Sequence, residues 1–379
     1  MSPLISDVFV SLVNAAPFTN WVFLTLETDT GKTGIGEATL SGNEGKVRDR
    51  VDQLRHRLLG QDAFEVRVDE LAEDEDMLSA TVRSALDQAL WDLKAAHFGV
   101  PLWRLLNGSG DPIPLYANIN RASLEREPAA MARIARRAVE AGFGGVKCAP
   151  LDGLDRQNCD SGSSETLLAE ALERVSAIRV AIGPEAHLMV DCHWRLSPEW
   201  ARKFVDGLAP LGLTWLEDPF PEEAEEEWLS LKEYCDISLA GGERATTLAQ
   251  LNRSLSIGQY DICCPDVRHV GGVEALWHAA HLAHAAGVEF APHNPRGPVG
   301  TIASAHVCSA SPSLMFLEFP FAECDWRSQL VTGAEQIEGG VLTLPQLPGS
   351  GAPLDAHIVQ KHPFRPRLAP REESKVDIW

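Results

Sequence analysis

The sequence of 379 residues has little positive charge and no long apolar run. Its 54 acidic side chains outnumber the 33 lysines and arginines, so the formal net charge is −21 and the isoelectric point is about 5.0. An acidic surface repels phosphate backbones and anionic lipid headgroups, so we expect neither nucleic acid nor a membrane as partner. No uninterrupted run of 18 apolar residues occurs, which argues against a membrane-spanning helix.

The sequence also lacks a C-x-x-C pair among its eight cysteines, several of which lie in apolar runs. The first residues, "MSPLISDVFVSLVN", have no basic segment followed by a long apolar core, unlike a secretory signal. We therefore expect a reduced cytoplasmic protein rather than a secreted scaffold held together by disulfides.

The first part of the chain, 1–112, is expected to form an α+β unit. Residues 6–40 alternate between apolar and polar side chains like antiparallel strands. Helical periodicity follows over 44–61 and 79–98, and Gly99 is a typical end for the second helix.

From residue 113 onward the pattern changes to eight short apolar runs separated by amphipathic helical stretches. The runs are "IPLYANIN", "GGVKCAP", "HLMVD", "LTWLED", "ISLAGGE", "YDICCPD", "VEFAPH" and "SLMFLE". Repeated βα units of this size predict a parallel barrel over 113–320. Residues 321–379 are irregular and contain "LPQLPGSGAPLD", and we expect this segment to pack back on the N-terminal unit.

Ionisable residues end six of the later runs at intervals of 23 to 27 residues. They are Asp191, Glu217, Glu243, Asp266, His293 and Glu318. In a βα barrel this period brings all six to the carboxyl-terminal rim, where barrel enzymes have their active sites. For any single position a helix N-cap or a solvated loop residue is an equally good explanation, but six in register favour a site.

Three of the acids, Asp191, Glu217 and Glu243, follow consecutive strands. Three carboxylates without cysteine or histidine predict a site for a hard cation, Mg²⁺ before Mn²⁺. Asp266 and His293 belong to adjacent strands, and an aspartate that accepts from one ring nitrogen makes the other nitrogen a general base. The alternative is that Asp266 caps a helix and His293 braces a loop.

Two further candidates accompany these six. His193 follows Asp191 by two residues, the spacing that points two strand side chains to one face. An exposed loop histidine is the alternative. Lys147 in "GGVKCAP" ends the second barrel strand and is the nearest fixed cation, although a surface lysine whose stem lies along the rim would look the same.

This set of residues resembles the enolase superfamily, its mandelate racemase subgroup, and within it the galactonate dehydratase-like sugar-acid dehydratases. The stretches "TGKTGIGEATL" and "VRSALDQALWDLKAAHFGVPLWRLL" resemble that family's capping domain, and "HNPRGP" its seventh-strand signature. The resemblance covers nearly the whole chain. It implies an α/β fold, a (β/α)7β modified TIM barrel with an N-terminal α+β capping domain, and a homo-oligomer (dimer, tetramer or octamer).

The resemblance also implies a role for each candidate. The three consecutive acids bind Mg²⁺, Asp266 and His293 form the base dyad, and Glu318 binds the substrate carboxylate and its developing enolate. His193 is the second acid/base group. Mandelate-type racemases carry K-x-K on the second strand, whereas this strand reads "VKCA" with Lys147 alone, which disfavours two-base racemisation of that kind.

The implied activity is Mg²⁺-dependent dehydration of an acid sugar, either an aldonate or an aldarate. His293 takes the C2 proton, Mg²⁺ and Lys147 stabilise the ene-diolate, and His193 protonates the departing 3-hydroxyl to leave a 2-keto-3-deoxy acid. A racemase, epimerase or cycloisomerase that uses the same enolate is the nearest alternative. A non-catalytic sugar-acid-binding barrel is the second, since fold alone does not determine function.

Overall fold

The computed structural model describes residues 2–17, 19–71, 76–157 and 163–366. The N-terminal part is a three-stranded antiparallel sheet covered by two long helices. Its elements are β1 (Ile5–Ala16), β2 (Thr19–Thr28), β3 (Thr33–Glu37), α1 (Glu44–Leu58), a 3₁₀ turn (Val68–Glu70), α2 (Met77–Phe98) and α3 (Leu102–Leu105). This unit is the antiparallel capping domain that the sequence predicts.

Helix α2 begins two residues earlier than the periodicity indicates, because Asp76 caps it by accepting from the Ser79 backbone N–H at 2.7 Å. The helix ends at the expected glycine, Gly99, whose φ of 70° is left-handed. Strand β3 lies so close to α2 that a Cβ on Gly34 would stand 2.0 Å from the Ala89 carbonyl oxygen. The alternating glycines of "TGIG" therefore allow this packing.

In the described residues from 113 to 320, eight parallel strands alternate with seven helices, which confirms the predicted (β/α)7β barrel. The elements are β4 (Ile113–Asn118), α4 (Pro128–Glu140), β5 (Gly145–Cys148), α5 (Ser164–Ile182), β6 (His187–Asp191), α6 (Pro198–Leu208), a 3₁₀ turn (Ala209–Leu211), β7 (Trp215–Glu217), α7 (Glu225–Tyr234), β8 (Leu239–Gly241), α8 (Leu248–Ser256), β9 (Ile262–Cys263), α9 (Gly272–Ala285), β10 (Glu289–Phe290), α10 (Pro298–Cys308) and β11 (Leu317–Pro320).

The strands pair in sequence order from β4 to β10, and β11 returns to pair in parallel with β4. A bridge between Phe290 and Leu314 closes the barrel between its seventh and eighth strands. Alternate inward side chains fill the centre with apolar groups such as Tyr116, Met189 and Trp215. The barrel is thus a packed core and not an open pore.

The C-terminal segment contacts both units. Its elements are α11 (Arg327–Leu330), β12 (Gln336–Glu338), β13 (Val341–Thr343) and α12 (Ala356–Lys361). Strand β13 pairs antiparallel with β4 of the barrel, a contact that the sequence does not reveal. Beyond α12, the His362 carbonyl accepts from the Asn14 backbone N–H at 2.9 Å. The three-part division at 112 and 320 stays a prediction.

Two buried acids of the capping domain attach it to barrel helices. Glu37 accepts from the backbone N–H groups of Gly297 at 2.7 Å and Gly300 at 2.8 Å, at the start of α10. Asp87 accepts from the Glu274 backbone N–H at 3.2 Å, in the first turn of α9. Carboxylates at helix N-termini satisfy free N–H groups and the helix dipole. The cap is therefore held directly over the barrel rim.

The described cysteines are all free, while Cys159 lies outside the described residues. Among the helices that the structure describes, none combines the length and the apolar character needed to cross a bilayer.

Candidate active site

The three acids of consecutive strands come together at the barrel rim. Asp191 and Glu217 are the last residues of β6 and β7, and Glu243 follows β8 by two residues. Each offers an oxygen within 4.8 Å of the others, and all three side chains are buried. Burial of three adjacent carboxylates is costly unless positive charge lies among them.

Lys147 supplies part of that charge. Its Nζ lies 2.5 Å from Glu217 Oε1, 3.0 Å from Glu318 Oε1 and 3.6 Å from Asp191 Oδ2. The side chain is fully buried, so it is not a solvated lysine at the rim. Burial alone lowers the pKa of Lys147, but Glu217 and Glu318 outweigh it and raise this pKa well above its usual value. The ammonium therefore stays charged.

The sequence-predicted dyad is formed. His293 Nδ1 lies 2.7 Å from Asp266 Oδ2, and His293 Nε2 lies 2.9 Å from Glu243 Oε2. Burial lowers the pKa of His293, but Glu243, Glu318 and the bond to Asp266 outweigh it and raise this pKa to about 10. The ring therefore lies between Asp266 at Nδ1 and Glu243 at Nε2, and Glu243 is one of the three acids whose charge a divalent cation would neutralise.

Arg268 is a partner of this dyad that the strand-end pattern does not identify. Its Nε donates to Asp266 Oδ1 at 3.0 Å, its Nη2 donates to Asp266 Oδ2, and its Nη1 donates to the Thr39 carbonyl at 2.9 Å. Burial raises the pKa of Asp266, but Arg268 and the neighbouring imidazoles hold it well below its usual range. The sequence does contain one signal for this contact. In "DVR", Arg268 follows Asp266 by two residues, a spacing that allows the arginine side chain to reach back to the acid.

His193 reaches the cluster by a different geometry from the one expected. Strand β6 ends at Asp191, and His193 follows in a left-handed turn with φ of 47°, so the alternation of strand faces does not apply. Asp191 Oδ1 accepts from the His193 backbone N–H at 3.0 Å, and His193 Nε2 lies 3.1 Å from Asp191 Oδ2. Burial lowers the pKa of His193, but Asp191 outweighs it and raises this pKa.

Glu318 is the second residue of β11 rather than its last, because the pairing with β4 continues to Pro320. Besides Lys147, it accepts from Asn118 Nδ2 and from the Asn294 backbone N–H, each at 2.7 Å. Both asparagines are buried. These bonds leave Glu318 in one orientation beside the acid cluster, and no sequence period pointed to either partner.

The donor set fits a hard divalent cation. Burial and the neighbouring acids raise the pKa of Glu217 to about 7, because together they outweigh Lys147, which lowers it. Asp218, the next residue, is fully buried, and neither of its oxygens has a hydrogen-bond partner among the described residues. An excess of buried oxygen donors with uncompensated charge is what Mg²⁺ or a similar cation would neutralise. A divalent metal therefore fits this site, with Asp191, Glu217 and Glu243 as its holders.

A cavity of about 410 Å³ lies between the cap and this rim. Capping residues such as Leu40 and Met77 line one side, and Glu243, His293 and Arg296 line the other. The volume is in the range of about 300–1,000 Å³ usual for small-molecule sites. The eight residues that the sequence singles out thus form one contact network, two of whose members, Glu243 and His293, line this cavity.

Comparison with known proteins agrees with this architecture. The family described as "Enolase C-terminal domain-like" matches residues 130–358, and the family "Mandelate racemase / muconate lactonizing enzyme, N-terminal domain" matches residues 10–107. The solved structure of a mandelate racemase/muconate lactonizing enzyme-like protein from Rubrobacter xylanophilus is 28% identical. It aligns with a TM-score of 0.86 over 96% of this chain and 98% of that one.

Relatives in sequence carry dehydratase names. D-xylonate dehydratase from Haloferax volcanii is 28% identical over 357 residues, which cover 90% of this chain and 85% of the relative. D-galactonate dehydratase from Klebsiella pneumoniae is 31% identical over 312 residues, which cover 79% of this chain and 78% of the relative.

Proposed function

This chain belongs to the mandelate racemase/muconate lactonizing enzyme family of enolase-like proteins, and from that premise we propose that it is a Mg²⁺-dependent acid-sugar dehydratase. The proposed reaction removes the C2 proton and the 3-hydroxyl of an aldonate or aldarate and yields a 2-keto-3-deoxy acid. The observation that best supports it is that each of two imidazoles contacts a different carboxylate of the triad. His293 lies against Glu243 and His193 against Asp191.

His293 is the proposed base. Asp266 holds Nδ1, which leaves Nε2, next to Glu243, as the nitrogen available to the substrate. A divalent cation on Glu243 would offset the negative charge that raises the pKa of His293, so Nε2 would be free to take the C2 proton while the electron pair of the C–H bond passes to the substrate carboxylate. Arg268 fixes both oxygens of Asp266, so the dyad acts as one preorganised unit.

His193 is the proposed acid. It donates a proton to the 3-hydroxyl as the C3–O bond breaks, so the leaving group departs as water. The resulting enol takes a proton at C3 and becomes the ketone. Asp191 raises the pKa of His193, which favours the protonated imidazole that an acid requires.

Two other side chains would act on the substrate carboxylate. Lys147 lies next to the triad and can donate to the carboxylate whose charge grows during proton removal, and Glu318, 3.0 Å from Lys147 Nζ, positions that ammonium. A divalent cation bound by the triad supplies further positive charge, which offsets both the triad and this growing charge. A homo-oligomer and a cytoplasmic location stay predictions.

Purified protein with Mg²⁺ and a set of acid sugars tests the proposal, with 2-keto product detected as its ultraviolet-absorbing semicarbazone. A dehydratase gives that product from at least one acid sugar. A change of configuration or ring form without 2-keto product contradicts dehydration and favours an isomerase.

Two variants separate the roles of the histidines. In D₂O, His193→Asn should still exchange the C2 proton of the substrate but not dehydrate it, whereas His293→Asn should do neither. Each acid/base group is worth about 10²–10⁴-fold in rate. His278→Asn, at a half-exposed position on α9, is the matched control and should keep normal turnover. Wild-type turnover in either site variant would remove that residue from the mechanism.

A further inference from the structure

Arg296 is a buried cation without a described counter-charge. It is only 5% exposed, lines the cavity between cap and barrel, and its Nε and Nη1 have no hydrogen-bond acceptor among the described residues. It also forms no ion pair within the part of the chain that the structure describes. Arginine stays protonated in proteins, and an unpaired buried charge is strongly unfavourable. An anionic ligand would supply the missing partner.

The peptide group between Arg296 and Gly297 is fixed at both its carbonyl and its N–H. The Arg296 carbonyl accepts from Arg327 Nη1 at 2.5 Å, and the next N–H, that of Gly297, donates to Glu37 at 2.7 Å. Arg296 is therefore anchored to the C-terminal segment and to the cap at once. The guanidinium therefore extends from a fixed backbone position, and its planar fork suits a bidentate contact with a carboxylate.

The positive charge beside the acid triad comes from Lys147, which is surrounded by carboxylates, and from the proposed metal. Arg296 contacts none of these acids, so it is a separate cationic point in the same cavity. Exposed Lys46 and Arg244 line that cavity as well. In a chain with a net charge of −21, this local positive set marks where an anion is attracted.

We propose that Arg296 binds a second anionic group, the far carboxylate of an acid sugar whose first carboxylate is held at the triad. This inference rests on the proposed dehydratase function and narrows its substrate class to diacids, that is, aldarates rather than aldonates. A site that provides a buried hydrogen-bonding charge discriminates strongly against a substrate that leaves it unpaired.

The test compares aldarate and aldonate pairs of the same configuration at C2 to C5, which differ only at C6. The wild type should prefer the aldarate by about 10²-fold or more in kcat/KM. In Arg296→Met this preference should fall to within about 10-fold, while Arg296→Lys keeps part of it. Arg244→Met, a second cation of the same cavity, should change the preference far less because its exposed charge is screened. Equal kcat/KM values of the wild type for both substrates would overturn the proposal. An equal loss of kcat/KM for both substrates in Arg296→Met would also overturn it.

Binding provides a readout that does not depend on turnover. Calorimetry in the His293→Asn background should show tighter binding of the aldarate than of the aldonate, and Arg296→Met should remove the difference. A 6-phosphorylated aldonate is the third ligand, and its binding more tightly than the diacid would contradict the carboxylate assignment. If no acid sugar yields a 2-keto product, the dehydratase proposal fails, yet this titration still decides whether Arg296 binds the second anion.

Discussion

Replacing Lys147 with methionine tests the charge balance of the whole site. The variant keeps the length and the apolar stem but removes the ammonium that lies 2.5 Å from Glu217, 3.0 Å from Glu318 and 3.6 Å from Asp191. In metal-free protein these buried carboxylates then face one another without it. The repulsion among these carboxylates costs the least free energy when one of them binds a proton.

The magnitude follows from the pH. Burial raises the pKa of Glu318, but Lys147 outweighs it and lowers that pKa, so the wild type keeps this carboxyl ionised. Protonating it at about pH 7.5 from an ordinary unfolded-state pKa costs roughly three pKa units, or about 4 kcal/mol, at 1.36 kcal/mol per unit. That value agrees with the roughly 3–5 kcal/mol seen when one partner of a buried ion pair is removed. The folded-state pKa of that carboxyl lies above its unfolded value, so the folded state holds the extra proton and the free energy of unfolding falls as pH rises. The destabilisation should therefore shrink to about 1.5 kcal/mol near pH 5.5.

Urea unfolding in EDTA at the two pH values, followed by tryptophan fluorescence, measures this loss. Lys203→Met is the matched control, because this exposed lysine lies 3.0 Å from Glu199 one helical turn away and should contribute less than about 0.5 kcal/mol. Added Mg²⁺ should raise the free energy of unfolding of Lys147→Met more than that of the wild type. A loss below about 1 kcal/mol at pH 7.5, or one independent of pH, would refute the view that Lys147 neutralises the acids.

Three further results are expected. Asp266→Asn removes the charge that holds His293, so kcat should fall with little change in KM, as steady-state kinetics would show. Burial raises the pKa of Asp87 to about 7, above its unfolded value, so wild-type stability is lost as pH rises from about 4 through 7; Asp87→Asn should flatten that slope in urea unfolding. Gly297→Ala places a Cβ 2.6 Å from Glu37 Oε2 and should lower Tm in calorimetry.

Each of these has a control and a contrary outcome. An unchanged kcat in Asp266→Asn would exclude it from positioning the base. Exposed Asp52→Asn should leave the stability profile as it is, and the same profile in Asp87→Asn contradicts the burial argument. A Cβ at Gly45 meets nothing within 4 Å, so an equal loss of Tm in Gly45→Ala and Gly297→Ala would show that the close approach to Glu37 is not the cause.

The barrel was predictable because its signal is periodic. Strands and helices of one unit repeat at 23 to 27 residues, so a charged residue within three residues of each strand end, from Asp191 to Glu318, falls on one rim of the barrel. The three consecutive acids needed no further information. Pairing of β13 with β4 had no such signal, because a three-residue strand is too short for a pattern to distinguish from loop.

The partners of the site residues were not predictable by the same method. Asn294 holds Glu318 from the loop after β10, and Arg268 holds Asp266 from the loop after β9, at positions set by local turns rather than by the barrel period. Asn118, the last residue of β4, also holds Glu318, but it is uncharged and does not stand out among the strand-end acids. His193 belongs to this class as well. A residue count placed it near Asp191, but only a left-handed turn explains how the ring returns to that carboxylate.

The pairing of the buried charges shows why Arg296 is important although the sequence does not single it out. In "HNPRGP" it looks like an ordinary loop arginine, and a chain with an excess of acids would be expected to pair it. The structure instead assigns described acids to the other two buried cations of the site, Lys147 to Glu217 and Arg268 to Asp266. Of these three cations, Arg296 is the one without a described acid as partner, and it lines the cavity. An acidic protein can therefore attract an anionic substrate, because the balance that matters is that of the buried groups and not that of the surface.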